Sequence, residues 1–334
     1  MITWKRTLEG REAEEYDRFV ERAAGGHYAQ ARWWAPIAQA GRPFRSSFVL
    51  AREPDGRVVG AAHVLRVIVG AVPLPVAVIE RGPVVEDPAR LPSVLARLAA
   101  VARRRGIFRL NISPYWEDER AASLGRALGG LGWRNRQTAN GPHAATLRLA
   151  TADLNEAILF AGSAFAPLRR KINAAEKAGA RARRGGAADL PTLARLHGAL
   201  MGRQGLPQKS GAWLQAVAAA GLEAAAPEGD RLGLFITEHE GAPVAAALMV
   251  RHGRLVTYAV GASDSTSPAA KFSKMVPSFV AAIRWCRELG CDFDLGGVPL
   301  ADDADPKRNS IAQFKRDFSQ KRVELLGLHS RWLF

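Results

Sequence analysis

The residues best placed to do chemistry lie late in the chain, in Cys291-Asp292-Phe293-Asp294-Leu295-Gly296-Gly297 and in Asn309-Ser310-Ile311-Ala312-Gln313-Phe314-Lys315-Arg316-Asp317-Phe318. An apolar run closed by two glycines reads as a buried strand opening into a loop, and Ser310-x-x-Gln313 reads as a capping box that starts a helix. Ile311, Phe314 and Phe318 stand at i, i+3 and i+7, which predicts an apolar stripe with Lys315 at its edge. An ammonium held there, half out of water, is suited to stabilising an oxyanion. The same spacing also suits a lysine whose stem only covers its own helix, and spacing alone leaves both readings open.

Phosphate chemistry is suggested elsewhere. Phe165, Leu168, Ile172 and Ala175 mark one face of a helix whose other faces carry Arg169, Arg170, Lys171 and Lys177, with Arg181, Arg183 and Arg184 just beyond its stop at Gly179. Against these seven basic residues stands one acid, Glu176. Such a ridge can track a nucleic-acid backbone without reading sequence, or it is simply a solvated helix face. Arg203, in Gly202-Arg203-Gln204-Gly205 after a helix that starts near Asp189, offers a fork for phosphate or carboxylate, or caps that helix. Arg32 beside Trp33 and Trp34 can stack on a nucleobase or sugar, or the aromatics belong to a core.

Metal and nucleophile signals are poor. The seven histidines take no zinc-ligand spacing, and no serine sits in a nucleophile elbow. Asp302, Asp303 and Asp305 read as a solvated loop in preference to a cation site. Cys286 and Cys291 straddle a predicted helix end and strand start, which suits two reduced core thiols. No metal and no covalent intermediate is indicated.

The 334 residues suffice for two domains, and 48 % hydrophobic with 24 % charged residues is an ordinary globular composition. A net charge of +15 and a pI near 10.6 favour a polyanionic partner. The absence of a transmembrane-length apolar run and the charged start Lys5-Arg6 lead to the expectation of a cytoplasmic protein without stable membrane insertion.

Two segments follow one plan. Phe48–Glu53, a turn at Pro54-Asp55-Gly56 and Val58–Val67 predict a hairpin followed by a helix over Pro88–Arg105. Leu234–Glu238, a turn at Glu240-Gly241 and Val244–Val250 predict another, extended by Leu255–Val260 and followed by a helix over Met275–Leu289. Each helix stops at a glycine, Gly106 or Gly290, and runs into a strand. This is a duplicated unit. Antiparallel strands, a helix and a further strand give the order of an N-acetyltransferase (GNAT)-like fold. The expected fold class is therefore α/β (α+β): two tandem GNAT-like domains with mixed, mostly antiparallel sheets flanked by helices. Their bounds are set at 1–149, with 320–334 as a candidate completion, and 150–319. A last strand over Val323–Leu328 is expected to return to the first domain and bury the aromatics of Arg331-Trp332-Leu333-Phe334. Where acetyltransferases carry an Arg/Gln-x-x-Gly-x-Gly/Ala pyrophosphate loop, this chain has Gly261-Ala262-Ser263-Asp264-Ser265-Thr266-Ser267-Pro268, which argues for an acyl donor other than a CoA ester.

Taken together, Gln30-Ala31-Arg32-Trp33-Trp34, the run from Leu168 to Gly179, Arg203, Tyr258, and Phe293-Asp294-Leu295-Gly296-Gly297 followed by Phe314-Lys315 resemble the Fem family of non-ribosomal peptidyltransferases, over nearly the whole chain. That family resembles paired acetyltransferase-like domains and moves an amino acid from aminoacyl-tRNA to the stem peptide of a peptidoglycan precursor. The resemblance implies that Lys315 stabilises the tetrahedral oxyanion and that Phe314 shapes the pocket. It implies that Arg203, Tyr258, Trp34 and Arg32 hold the nucleotide-sugar or pyrophosphate part of the acceptor, and that Arg169, Arg170, Lys171, Lys177 and Arg181 meet the tRNA. The acceptor is a nucleotide-linked or lipid-linked precursor. Ser113-Pro114 stands where the family often has Asp-Pro, so a carboxylate near the attacking amine is missing or comes from Asp292 or Asp294. Pro207 replaces an aromatic, and no coiled-coil insertion is present, as in compact members that act as monomers. Aminolysis of an activated ester needs no metal and no cofactor. An acyl-CoA-dependent N-acyltransferase acting on another small amine or a polysaccharide, and a noncatalytic nucleic-acid-binding protein on the same scaffold, are the alternatives.

Overall fold

In Phe48-Val49-Leu50-Ala51, side chains alternate between two cores: Phe48 and Leu50 pack with Tyr16, Val20 and Ala61, whereas Val49 and Ala51 pack with Val59, Leu95 and Leu98. A strand with period 2 and both faces buried needs a helix on each side. The computed structural model describes residues 1–136, 143–151, 160–222, 231–264, 266, 272–299 and 306–334, with 306–308 described by their backbone alone. Asp302, Asp303 and Asp305, and part of the loop after Gly261, lie outside the described residues.

The chain forms two compact units, Met1–Thr146 with Gly297–Asp302 and Val323–Phe334, and Leu147–Gly296 with Asp303–Arg322. The first begins with β1 (Ile2–Lys5), α1 (Gly10–Arg22), α2 (Ala35–Gln39), β2 (Phe44–Arg52), β3 (Val58–Val69), β4 (Val72–Ile79), β5 (Val84–Val85), α3 (Leu91–Arg104), β6 (Arg109–Ile112), α4 (Asp118–Gly130) and β7 (Arg134–Asn135). The chain crosses to the second unit within β8 (Ala145–Leu149). There follow α5 (Ala166–Lys177), β9 (Arg181–Gly185), α6 (Leu190–Gly202), α7 (Gly211–Ala219), β10 (Leu232–His239), β11 (Ala242–His252), β12 (Leu255–Ser263), α8 (Met275–Glu288), β13 (Asp292–Gly297), α9 (Pro306–Arg316), β14 (Arg322–Glu324) and β15 (His329–Trp332).

The first sheet runs β1-β2-β3-β4-β6-β15-β7 with β5 on β3, and the second β14-β8-β13-β12-β11-β10-β9. In each, an antiparallel series meets one parallel partner reached through a helix: β4 beside β6 after α3, and β12 beside β13 after α8. Both helices stop alike. The Ile107 N–H bonds to the Ala102 carbonyl after Gly106, and the Cys291 N–H to the Cys286 carbonyl after Gly290. Two mixed, mostly antiparallel sheets with flanking helices are thus present, as the repeated hairpin-helix-strand order predicts. Cys286 and Cys291 are free and buried, and burial pushes both thiols up.

Three local expectations are corrected. Helix α9 starts at Pro306, where a missing N–H costs nothing, so Ser310 lies inside the helix and caps nothing. The predicted strand Val323–Leu328 is broken. Leu325 and Leu326 turn inward to bury, Gly327 takes a positive φ, and the pieces β14 and β15 join different sheets. Of the last aromatics neither is buried. Leu333 takes the core-facing position, and strand alternation leaves Trp332 and Phe334 outside.

Candidate active site

Strands β12 and β13 pair in parallel at Leu255↔Asp292, Val256↔Phe293 and Thr257↔Asp294, and there the pairing ends although both strands run on. On the other side of β12, the register to β11 slips. Leu248 faces Val260 and Met249 faces Tyr258, which leaves Ala259 as the extra residue of a bulge. Tyr258 therefore stands just past the last pair with β13 and beside the bulge against β11. Gly261 lets its ring fold back along the strand: a Cβ there would lie 2.7 Å from the Tyr258 hydroxyl and 2.9 Å from the Ala246 carbonyl oxygen.

Lys315 reaches the same point from α9. Its Nζ is 5.9 Å from the Tyr258 ring centroid, and a Cβ on Gly296 (φ +77°) would sit 3.5 Å from Nζ and 3.2 Å from the Tyr258 carbonyl oxygen. Strand end, tyrosine and ammonium thus close on a position only glycine fills without strain. Phe279 joins the wall, with its ring 4.9 Å from Tyr258, 5.3 Å from Phe314 and 5.4 Å from Phe318.

The helix face differs from the expected stripe. Ile311 is 47 % exposed, and the buried row is Ala312, Lys315, Phe318 and Ser319, so Lys315 sits within the buried face and not at its edge. It is 6 % exposed, and loss of water pushes its ammonium down from 10.5 to about 8, with nearby Asp294 opposing the change. Asp294 is itself buried. One carboxylate oxygen accepts the Gly296 N–H at 2.7 Å, and the other lies 3.9 Å from Arg148 Nη2. The second candidate carboxylate, Asp292, accepts the Thr151 N–H at 3.1 Å. Buried Asp317 is taken up by Lys171 of α5. Burial also pushes the Tyr258 phenol up, so it stays a donor at neutral pH. Among the described residues, the buried aspartates and lysines are these three alone, Asp294, Lys315 and Asp317. An apolar wall, one ammonium and one carboxylate fit charge development on a carbonyl oxygen beside a nucleophilic amine.

The structure brings Lys315, Phe314 and Tyr258 together. Arg203 is an exposed C-cap of α6, its N–H bonded to the Ala199 carbonyl at 3.3 Å, and among the described residues its guanidinium has no ion pair. Arg32 and Trp34 belong to the first unit. Arg32 holds Asp17 through both arms of its fork, at 2.6 and 2.9 Å, and Trp34 is buried edge-on to Tyr28. On the basic helix, Arg169 donates to the carbonyls of Phe160, Ala161 and Gly162, while Arg170, Lys177 and Arg181 are exposed. Sequence reasoning missed Arg148, Phe279 and Asp317. For Asp294 the signal was present, as a carboxylate inside Phe293-Asp294-Leu295, in a strand covered on both faces.

Among the described residues no group of acidic, histidine or cysteine side chains is arranged to hold a metal, and no helix is long and apolar enough to cross a membrane.

Residues 163–316 match the acetyltransferase (GNAT) domain family. FemX superposes with a TM-score of 0.79 at 18 % identity, covering 97 % of this chain and 96 % of that one. The chain has the Fem-type tandem GNAT fold. The C-terminal domain of a putative lysylphosphatidylglycerol synthetase from Agrobacterium fabrum follows at 0.56 and 17 % identity, over 95 % of this chain and 91 % of that. A tandem GNAT protein from the clavulanic acid biosynthesis pathway gives 0.56 at 12 %, over 100 % and 99 %. Curated protein sequences give no match.

Proposed function

We propose that this chain is an aminoacyltransferase that moves an amino acid from aminoacyl-tRNA to an amine of a peptidoglycan-precursor stem peptide by direct aminolysis. The observation that carries the reading is the buried Lys315 ammonium, fixed against Tyr258 and Gly296 where β12 and β13 part, on a Fem-type fold. The acceptor amine attacks the ester carbonyl, and Lys315 holds the charge that gathers on its oxygen. The ester C–O bond then breaks, and the proton the amine gives up ends on the departing ribose oxygen, so the tRNA leaves with its hydroxyl. Asp294 is the carboxylate that keeps Lys315 protonated. A metal-free and cofactor-free route suffices because the ester is already activated.

Of the acceptor contacts implied by the Fem resemblance, Arg203 and Tyr258 are the ones proposed, with Phe314 shaping the pocket. Arg32 would first have to leave Asp17, and Trp34 its aromatic neighbours. For the tRNA, the proposed contacts are the exposed Arg170, Lys177 and Arg181. Arg169 and Lys171 act behind them by fixing α5 to its surroundings.

The test is incubation of the protein with a pool of charged tRNAs and a UDP-linked muramyl pentapeptide, read by mass spectrometry. A gain of one aminoacyl mass, lost in Lys315→Met, supports the reading. Intact charged tRNA beside unmodified acceptor counts against it. The GNAT family match keeps an acyl-CoA donor as the second reading, so an acetyl-CoA arm belongs in the same experiment.

A further inference from the structure

A second cluster of unspent charge lies in the first unit. Strand β15 sits between β6 and β7, pairing Trp332 with Arg109 and Ser330 with Arg134. Around these pairs opens a groove of about 560 Å³ that is also lined by Arg136, Arg331 and Phe334. Four arginines therefore line one space, and its lining holds no carboxylate side chain. Among the described residues none of the four is ion-paired. Elsewhere the arginines of this chain commonly are, as Arg52 with Glu15, Arg57 with Glu86 and Arg183 with Asp189 show.

The aromatics complete the site. Trp332 is 52 % and Phe334 88 % exposed, yet their rings lie parallel, 5.5 Å apart with planes 6° from each other. The Arg109 guanidinium lies 5.6 Å from the Trp332 ring centroid. Exposed, pre-stacked rings beside uncompensated arginines are what a run of unpaired bases with a phosphate backbone recognises. Stacking holds the bases without regard to sequence, and the cations hold the phosphates. The charges span three adjacent strands, about 10 Å at the usual strand spacing, which is more than one phosphate occupies.

We propose that this groove binds an unpaired RNA strand through the Trp332–Phe334 platform and the arginines 109, 134, 136 and 331. The inference goes beyond the transfer reaction and does not depend on it, because its readout is binding of RNA that carries no aminoacyl group.

The experiment is fluorescence anisotropy with a labelled oligouridine of about 12 nucleotides, within the range such grooves cover. The exposed basic residues of α5 and β9 stay intact in every variant. Trp332→Ala and Phe334→Ala are each expected to weaken binding roughly 10-fold, with thermal melts unchanged because neither side chain is in the core. The double variant Arg134→Ala/Arg136→Ala is expected to lower the slope of log affinity against log salt by about 1.4, two phosphate contacts' worth on a single strand. Unchanged affinity in all three variants would overturn the proposal. So would heparin binding as tightly as RNA with no response to Trp332→Ala, which would mark a bare polyanion site. Capture by phosphatidylglycerol vesicles without RNA binding would overturn it in favour of a membrane surface.

Discussion

Helices α4 and α9 follow the strands that end the parallel pair of each unit, and they bury residues at the same spacing. In α4 the inward row is Ala121, Leu124 and Leu128, and in α9 with the turn that follows it the row is Ala312, Lys315 and Ser319. The middle position is leucine in one unit and lysine in the other. The strands differ in the same sense. Strand β6 stays paired with β4 through its last residue, Ile112, whereas β13 pairs with β12 only as far as Asp294 although it runs to Gly297. One copy of the plan is closed and apolar. Its counterpart is open, and buries an ammonium and a carboxylate at the opening. Burying charge is costly, and among the described residues only this copy buries a lysine or an aspartate, which supports the proposal that the chemistry lies there.

The comparison is tested first by exchanging the middle residue. Lys315→Met is expected to reduce aminoacyl transfer by about 10²- to 10³-fold, the loss seen when one donor to a developing oxyanion is removed. Single-turnover transfer from charged tRNA measures this. If Lys315 only covers its own helix, transfer in Lys315→Met stays within a few-fold of the parent. Leu124→Ala is the partner experiment. It is expected to cost about 2–4 kcal/mol in urea unfolding, as core truncations do, and to leave the turnover of folded protein unchanged.

The difference between the two units was only half legible in the sequence. Hairpin turns at Gly56 and Gly241 and helix stops at Gly106 and Gly290 carried the duplication, because turn chemistry and hydrophobic period are local. Lys315 stood out for its type and place, yet the stripe drawn through Ile311 was rotated away from the true buried face. A helix reveals the period of its apolar residues, but which row is covered depends on strands far away in sequence, here β12 and β13. Arg148 and Phe279 lay beyond reach for the same reason, since nothing in their neighbourhoods marks the approach of Asp294 or Tyr258. Trp332 and Phe334 misled in the opposite direction: size argued for burial, and strand alternation placed them outside.

A stability measurement sharpens the contrast further. In the unfolded chain Lys315 titrates near 10.5 and in the fold near 8. Below pH 8 both states carry the proton, and the fold bears the full cost of a buried charge. Between pH 8 and 10.5 the folded state sheds its proton while the unfolded state keeps it, so stability rises with pH across that window. At 1.36 kcal/mol per unit the cost at pH 7 is up to about 3 kcal/mol. Lys315→Met should therefore be more stable than the parent by up to that amount at pH 7 and by nothing above pH 10.5, in paired urea melts. A residue that is removed with a gain in stability and a loss of activity is held for function.

The smallest effect concerns Asp294, and it decides which form of Lys315 works. If the ammonium stabilises the oxyanion, kcat/KM falls as pH rises through about 8, because deprotonation removes the charge. If the free amine instead takes a proton from the acceptor, kcat/KM rises through the same value. In Asp294→Asn the nearby negative charge is gone, while the amide oxygen can still accept the Gly296 N–H, so the strand end keeps its shape. Without that charge nothing opposes the loss of water around Lys315, and its ammonium becomes more acidic. The falling limb should then move to lower pH, with transfer at pH 6 nearly as fast as in the parent. A limb that stays at about 8 would break the link between Asp294 and Lys315, and a limb of opposite slope would reassign the lysine from oxyanion stabiliser to base.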